Sequence, residues 1–442
     1  MLDKLQTPKD SPYWWDTVDD RYYPKLSPST SNSAVDFVVI GAGFTGLSAA
    51  YTLAKAGKSV VCVDQNQPGF GASTRNGGMI GSGHKVSYET STRLYGAEAA
   101  QQLVSEGLSS VEHTVDLIKH LKIDCDYQQT GRFRMAWSIA DYHAMQKEVK
   151  QLKGLNDHLT LVDPQNQHAE IVSPHYFGGL IYHQHGGLNP RKLHDGLADA
   201  ATEAGALVFA DTPVIEIKKN GLVFSIRTPA GVLRCNKVIM ATNGYTRRSF
   251  AFWARRILPI PSFIIATEPT EQVASLLPGK RMMVETRSRH CYYRASPDGK
   301  RLILGARAAF TNIPQAKATA TLRNLLNGIF PSLANINITH SWRGYTGFTF
   351  DHIPHVGCHE DIYYAMGYSG SGVAMAPYLG NRVATYALSE DQETTVYTKT
   401  RFYTRPYYRG RTWFLPALNV YYSCKDIIEN HRQKKDKIKR KI

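Results

Sequence analysis

Residues 36–64 read DFVVIGAGFTGLSAAYTLAKAGKSVVCVD, and this stretch decides the fold. Val38, Val39 and Ile40 form a short apolar run of the kind a buried parallel strand needs. Gly41, Gly43 and Gly46 follow in the spacing G-x-G-x-x-G, with Phe44 and Thr45 between the last two. Leu47, Ala50 and Leu53 recur at helical spacing and Gly57 ends the helix. Residues 59–63 read as a second strand closing on Asp64, with Gln65 next. Gly41 permits the tight turn, Gly43 lets the backbone approach a diphosphate, and Gly46 allows the helix to pack closely on the strand. The helix N-terminus offers free N–H groups and a partial positive charge to that diphosphate. Asp64 lies 18 residues past Gly46 and can accept hydrogen bonds from ribose hydroxyls. A dinucleotide site is expected here.

Around this unit the chain has 442 residues, 43% hydrophobic and 20% charged, enough to build and cover a sizeable core. That composition excludes disorder, collagen-like structure and coiled coil. No run of 18 apolar residues occurs, so no membrane-spanning helix is expected. The first 33 residues are polar, and no cleaved secretion signal is expected. Cys62, Cys125, Cys235, Cys291, Cys358 and Cys424 form no CxxC pair, which argues against a zinc ribbon, an iron–sulfur cluster or a disulfide scaffold. Reduced thiols in a cytoplasmic protein are the expectation.

The net charge of +15 is uneven. Residues 401–442 hold twelve Lys and Arg against three acids, leaving +6 for the other 400 residues. This basic appendage contains Trp413, Phe414, Leu415, Val420, Tyr421 and Tyr422. Two readings stand: a docked extension with a solvated end, or contact with the inner face of an anionic membrane. Nucleic acid is the least favoured partner.

Directly after the second strand comes Gly69-Phe70-Gly71-Ala72-Ser73-Thr74-Arg75-Asn76-Gly77-Gly78, suited to a loop whose backbone runs close to a ligand. In this position it resembles the GASxRNGG segment of the D-amino-acid-oxidase-type flavoproteins, and most closely that of the γ-glutamylputrescine oxidoreductase group. Other segments agree in order. Ser11-Pro12-Tyr13-Trp14-Trp15 resembles that group's aromatic N-terminal arm, and residues 186–193 its GGxLxPxKL stretch. Val214 resembles the residue whose backbone meets the adenine. Thr242, Asn243 and Gly244, after an apolar strand, resemble the turn beside the cofactor. Residues 347–354 followed by Gly370-Ser371-Gly372-Val373 resemble the closing flavin motif.

The resemblance implies an α/β (α+β two-domain) fold: a Rossmann-like FAD-binding domain with a discontinuous substrate domain on a large mixed β-sheet. The expected segments are an arm at 1–35, FAD-binding pieces at 36–105, 168–247 and 339–390, substrate pieces at 106–167 and 248–338, and a basic extension at 391–442. Asp298-Gly299 reads as a β-hairpin turn within the substrate sheet. Gly370 and Gly372 open a helix whose N–H groups would face the flavin edge that becomes negative on reduction.

The implied cofactor is FAD, held without a covalent bond: Asn76 stands where some relatives carry a linking histidine, and Arg343-Gly344-Tyr345 where others carry a cysteine. His84 and Cys358 lie nearby in sequence. The implied reaction is oxidation of the C–N bond of an amine or amino acid, by hydride transfer to flavin N5. An N-methyl amino acid is the alternative substrate, and a tRNA-modifying flavoprotein the alternative class. Catalytic residues are not identified, and no metal site is expected, His183 and His185 included. Substrate-side candidates are Tyr292, Tyr293, Arg294 and Arg307, because a guanidinium is the preferred partner of a carboxylate. The electron acceptor is oxygen or another carrier: some relatives place a lysine over the flavin, where this chain has Ile303, with Lys300 nearby.

Overall fold

The computed structural model describes residues 7–27, 34–389 and 395–441. The expected arm's residues 1–6 and 28–33, the start of the extension at 390–394, and Ile442 lie outside the described residues. Two eight-stranded sheets and a two-stranded one organise what is described.

The fingerprint strand Ala34–Ile40 sits centrally in the first sheet, parallel to Val60–Val63 on one side and Gly231–Met240 on the other. Leu207–Phe209 and Ile362–Met366 extend it in parallel. All four residues of Val60–Val63 are buried, as a strand covered on both faces requires. Helices Phe44–Lys55, Ala97–His120, Pro190–Glu203 and Gly372–Ser389 cover one face. Leu47, Leu53, Leu379 and Val383 are fully buried there, and each such side chain contributes about 1.5–3 kcal/mol. Phe224, Ile226, Phe250, Trp253 and Ile257 fill the other face.

The second sheet runs Ile338–Phe348, Leu258–Thr267, Leu302–Ala306, Cys291–Ala295, Met282–Glu285, Arg132–Met135, Gly179–Tyr182, Leu159–Val162. It is mixed, since only Met282–Glu285 and Arg132–Met135 pair in parallel. Helix Gln315–Ile329 covers it through Leu322, Leu326 and Ile329. The hairpin at Asp298-Gly299 forms, with Gly299 at φ +75°.

Three boundaries differ from the sequence expectation. Helix Ala97–His120 crosses the expected break at 105/106, yet its stripe Leu103, Val111, Val115 and Ile118 packs in the first core. Thr114 also donates to the Ala374 carbonyl at 2.9 Å, so the helix cannot be divided there. Strand Gly179–Tyr182 and residues 339–348 of strand Ile338–Phe348, placed by sequence in FAD-binding pieces, pair in the second sheet. Short connections conceal such crossings, because the chain changes sheets without a composition shift.

The arm is a brace. The Lys9 N–H donates to the Thr339 carbonyl beside the second sheet, and the Ala210 N–H donates to the Pro24 carbonyl beside the first. The basic extension forms helix Leu415–Lys441 and docks. Leu415, Phe414, Leu418 and Tyr422 pack with Phe310 and Phe348. Trp413, Val420, Tyr421, Ile427 and Ile428 stay exposed. No described helix is long and apolar enough to cross a membrane.

Candidate active site between the two sheets

A channel starts at the fingerprint and ends at the closing glycines. Gly41 has φ +105°, and a Cβ there would meet the Ala241 carbonyl at 2.9 Å, so the turn requires glycine. A Cβ on Gly46 would come within 1.8 Å of the Gly41 carbonyl, closer than any packing permits. Gly43 caps helix Phe44–Lys55 with no side-chain hydrogen bond, which leaves first-turn N–H groups for a ligand. These features fit a diphosphate.

The channel is lined by Gly41, Gly43, Phe44, Thr45, Asp64, Gln65, Ala72, Ser73, Asn76, Val214, Thr242, Asn243, Gly370, Gly372 and Val373, all singled out from the sequence. Asp64 does more than face a ribose. Its carboxylate accepts from Ala42 N–H at 2.9 Å and Asn66 N–H at 3.0 Å, bracing the turn. Burial pushes its pKa up, against the pull of those bonds. Ser73 Oγ accepts from Phe44 N–H at 2.9 Å and ties the second loop to the helix start. The Val214 carbonyl accepts from Arg247 at 3.3 Å.

The remaining sequence candidates stand off the channel. Gly46 serves packing alone, Gly244 lies against Gly347, and Gly78 against the Leu188 carbonyl. Arg75, Gly77 and Ser371 line an adjoining cavity instead. Arg75 is held between Trp15 and Phe70, 4.7 and 4.4 Å from their ring centres. Asn76 braces the loop, donating to the Ala72 and Ser73 carbonyls and accepting from Gly78 N–H. The channel also includes Tyr245, Arg247 and Tyr368, none of them among the site residues expected from the sequence. Tyr368 meets Thr45 Oγ1 at 2.6 Å and sits two residues before Gly370, a proximity that was available as a signal.

The adjoining cavity, of about 420 Å³, opens at Gly370 and Val373 and is walled by the second sheet. Of the four substrate-side candidates it holds Tyr292 and Arg307. Tyr293 points the other way into the core, where its hydroxyl meets that of Tyr176 at 2.8 Å. Arg294 is also misassigned. Its guanidinium donates to the Gly78 and Leu188 carbonyls at 2.6 and 3.1 Å, and to the Ala295 carbonyl through Nε. Burial brings its pKa down to about 10. It clamps the loop and does not face the cavity.

Lys85, Arg132, Arg134, Glu285 and His290 also line the cavity and were missed. Arg132 and Arg134 are two apart on one strand and so share a face, a signal the sequence did carry. Glu285 is bound by Arg287 and by the Tyr176 hydroxyl, and Arg134 by Glu148. Lys85 is exposed to the open cavity; desolvation by the surrounding protein, with Arg307 and Arg132 near, brings its pKa down to about 7. Burial first, then Lys85, Arg307 and Arg132, hold His290 well below its usual value. The pKa of Tyr292 is raised to about 12 by burial. His84 lines the same cavity, its Nε2 at 3.0 Å from the Tyr397 hydroxyl. Cys358 is exposed on an edge strand and lines neither space. Ile303 is buried among Trp14, Ile264 and Trp342, and Lys300 is exposed at the hairpin turn.

A family model described as FAD dependent oxidoreductase (DAO) matches residues 36–386. The chain is 31% identical over 414 residues to the γ-glutamylputrescine oxidoreductase of Escherichia coli strain K12, covering 91% of this chain and 96% of that protein. It is likewise 31% identical over 420 residues to a probable oxidoreductase, OrdL, of Rhizobium meliloti strain 1021, covering 93% and 96%. Among solved structures, glycine oxidase from Geobacillus kaustophilus superposes with a TM-score of 0.71 at 19% identity, over 82% of this chain and 96% of that one.

Proposed function

The chain belongs to the DAO family of FAD-dependent oxidoreductases, and from that premise we propose that it oxidises the C–N bond of a carboxylate-bearing amine in the cavity beside the flavin end of the channel. The observation that carries this reading is Arg307. Its guanidinium lines the cavity 4.5 Å above the Phe348 ring and has no carboxylate partner among the described residues. A planar cation kept open beside the flavin end suits a carboxylate.

FAD would lie with its diphosphate on the start of helix Phe44–Lys55 and its ring toward Gly370 and Gly372. Bound there, it supplies a two-electron acceptor that takes hydride at N5 from the carbon next to nitrogen, leaving an imine that water splits into an aldehyde or oxo acid and an amine or ammonia. The protein's part is positional and electrostatic. The glycine-opened start of helix Gly372–Ser389 favours negative charge at its end. Tyr292 stays a neutral hydroxyl, 3.4 Å from Ser262 Oγ, available to orient substrate. Glu285, tied to Arg287 and Tyr176, is not free to act as a base. Orientation and field therefore carry the acceleration.

A γ-glutamyl amine is the first substrate to test, and an N-methyl amino acid the second. Adding both classes anaerobically to the purified holoenzyme should bleach the flavin band; no bleaching by any amine would remove the proposal. Re-admitting air then separates oxygen from another acceptor. Flavin held non-covalently should appear in the supernatant after acid precipitation. One observation favours a second reading, membrane-surface contact: the exposed side chains of Val420, Tyr421, Ile427 and Ile428 on a basic helix. Failure to co-sediment with phosphatidylglycerol vesicles at 0.15 M salt would exclude it.

A further inference from the structure

We infer that the substrate cavity is built for an amine carrying two anionic groups, a narrowing that rests on the reading above. Five cationic side chains line the one cavity. Arg134 is paired with Glu148, and Arg75 donates to the Phe70 and Arg343 carbonyls, which leaves Lys85, Arg132 and Arg307. They come from three separate places, the loop after Met79–Ile80, the strand Arg132–Met135 and the residue following Leu302–Ala306. Among the described residues none of the three has an ion-pair partner. The acids on this side are committed elsewhere, Glu285 to Arg287 and Glu148 to Arg134.

The guanidiniums are held by aromatic faces, which fix a planar cation without neutralising it. Arg132 lies 4.8 Å over the Tyr182 ring, and its Nε is buried with no hydrogen-bond partner. Arg307 lies 4.5 Å over Phe348 and 5.7 Å from Phe310. His290, which lines the same cavity, is held well below its usual pKa by burial and by their field.

Like charges gathered in one cavity repel; Arg132 and Arg307 are half-buried, and Lys85 is exposed to the cavity. The arrangement becomes favourable when anions enter. Lys85 stands beside Gly370, where a Cβ would lie 3.6 Å from its Cε, so its charge can be assigned to the flavin end. Two guanidiniums then remain for substrate. One carboxylate satisfies one of them and leaves the other unpaired. An amino-dicarboxylate, with an acid group on each side of the reacting nitrogen, satisfies both.

The test compares probes that differ by one carboxylate. Glutarate and butyrate are titrated calorimetrically into flavin-loaded protein, and glutarate should bind at least ~10-fold more tightly, which corresponds to about 1.4 kcal/mol. Arg132→Gln and Arg307→Gln should each remove most of that preference, whereas Arg132→Lys and Arg307→Lys should keep part of it. Loss of preference in the Lys variants as complete as in the Gln variants would mean the site had been disrupted, not discharged, and would overturn the inference. In anaerobic bleaching, iminodiacetate should outperform N-methylglycine. If butyrate binds as tightly as glutarate while amines still bleach the flavin, the two-anion inference is overturned and the amine-oxidising reading stands. If no amine bleaches the flavin and neither acid binds, both fall.

Discussion

At the scale of single residues, the glycines of the fingerprint differ in what they tolerate. A methyl group on Gly46 would press on the Gly41 backbone carbonyl, which cannot move without breaking the turn. Gly46→Ala is therefore expected to cost more than ~3 kcal/mol and to yield flavin-free protein, measured by chemical unfolding and absorbance. A methyl on Gly43 meets only the Ser73 hydroxyl at 2.7 Å, which can rotate away at the loss of its bond from Phe44 N–H. Gly43→Ala should fold and bind FAD roughly tenfold more weakly by fluorescence titration, about 1.4 kcal/mol. Lys85 gives a pH signature. Below about pH 7 it is protonated folded and unfolded, and the cost of holding its charge beside Arg307 and Arg132 is carried in full. Between about 7 and its ordinary 10.5 the unfolded chain holds more protons, so this residue makes stability rise with pH. Its neighbours Arg307, Arg132, His290 and His352 do not gain charge in that window. The melting temperature of the native protein should gain on that of Lys85→Met between pH 6 and 9; parallel curves would show that Lys85 titrates normally.

At the scale of elements, the arm earns its place through two indoles. Trp14 is fully buried and donates to the Asn76 carbonyl at 2.8 Å, and Trp15 donates to Thr74 Oγ1 at 2.8 Å. Together they hold the loop that forms one wall of the channel. Trp14→Ala should destabilise by about 3–5 kcal/mol and raise the dissociation constant for FAD, by thermal unfolding with and without cofactor. The same loop shows what could be read from the chain. Its small residues and the fingerprint before it form a continuous stretch in which spacing carries the geometry, so fifteen of the twenty-one residues expected at the cofactor line the channel. The cavity did not. Adjacent strand residues face opposite ways, so Tyr292 and Tyr293 could not both have faced substrate. Arg294 shares the face of Tyr292, but its length lets it reach carbonyls that only the folded loop supplies. Lys85 and Arg132 were invisible as a pair because they lie on distant segments that meet only at the folded cavity.

At the scale of the whole molecule, the extension outside the matched family region reaches the cavity wall. Glu429 accepts from the Ser288 N–H at 3.1 Å and from its hydroxyl at 2.5 Å. Asp426 pairs with Arg289 at 2.8 Å, and Arg289 also donates to Asn419 and Ser423. Ser288 and Arg289 lie between Thr286 and His290, both of which line the cavity. Glu429→Ala should raise KM several-fold, for a loss of about 1–3 kcal/mol at this grip, and leave the FAD dissociation constant unchanged. An equal loss of cofactor would place the effect in the global fold. The order of synthesis gives this helix a further consequence. Helix Leu415–Lys441 follows residues 36–386 in the order of synthesis, so a nascent polypeptide can enclose its coenzyme while the wall at Ser288 still awaits this support. A message truncated near codon 414 would thus encode a coloured protein with a slack pocket.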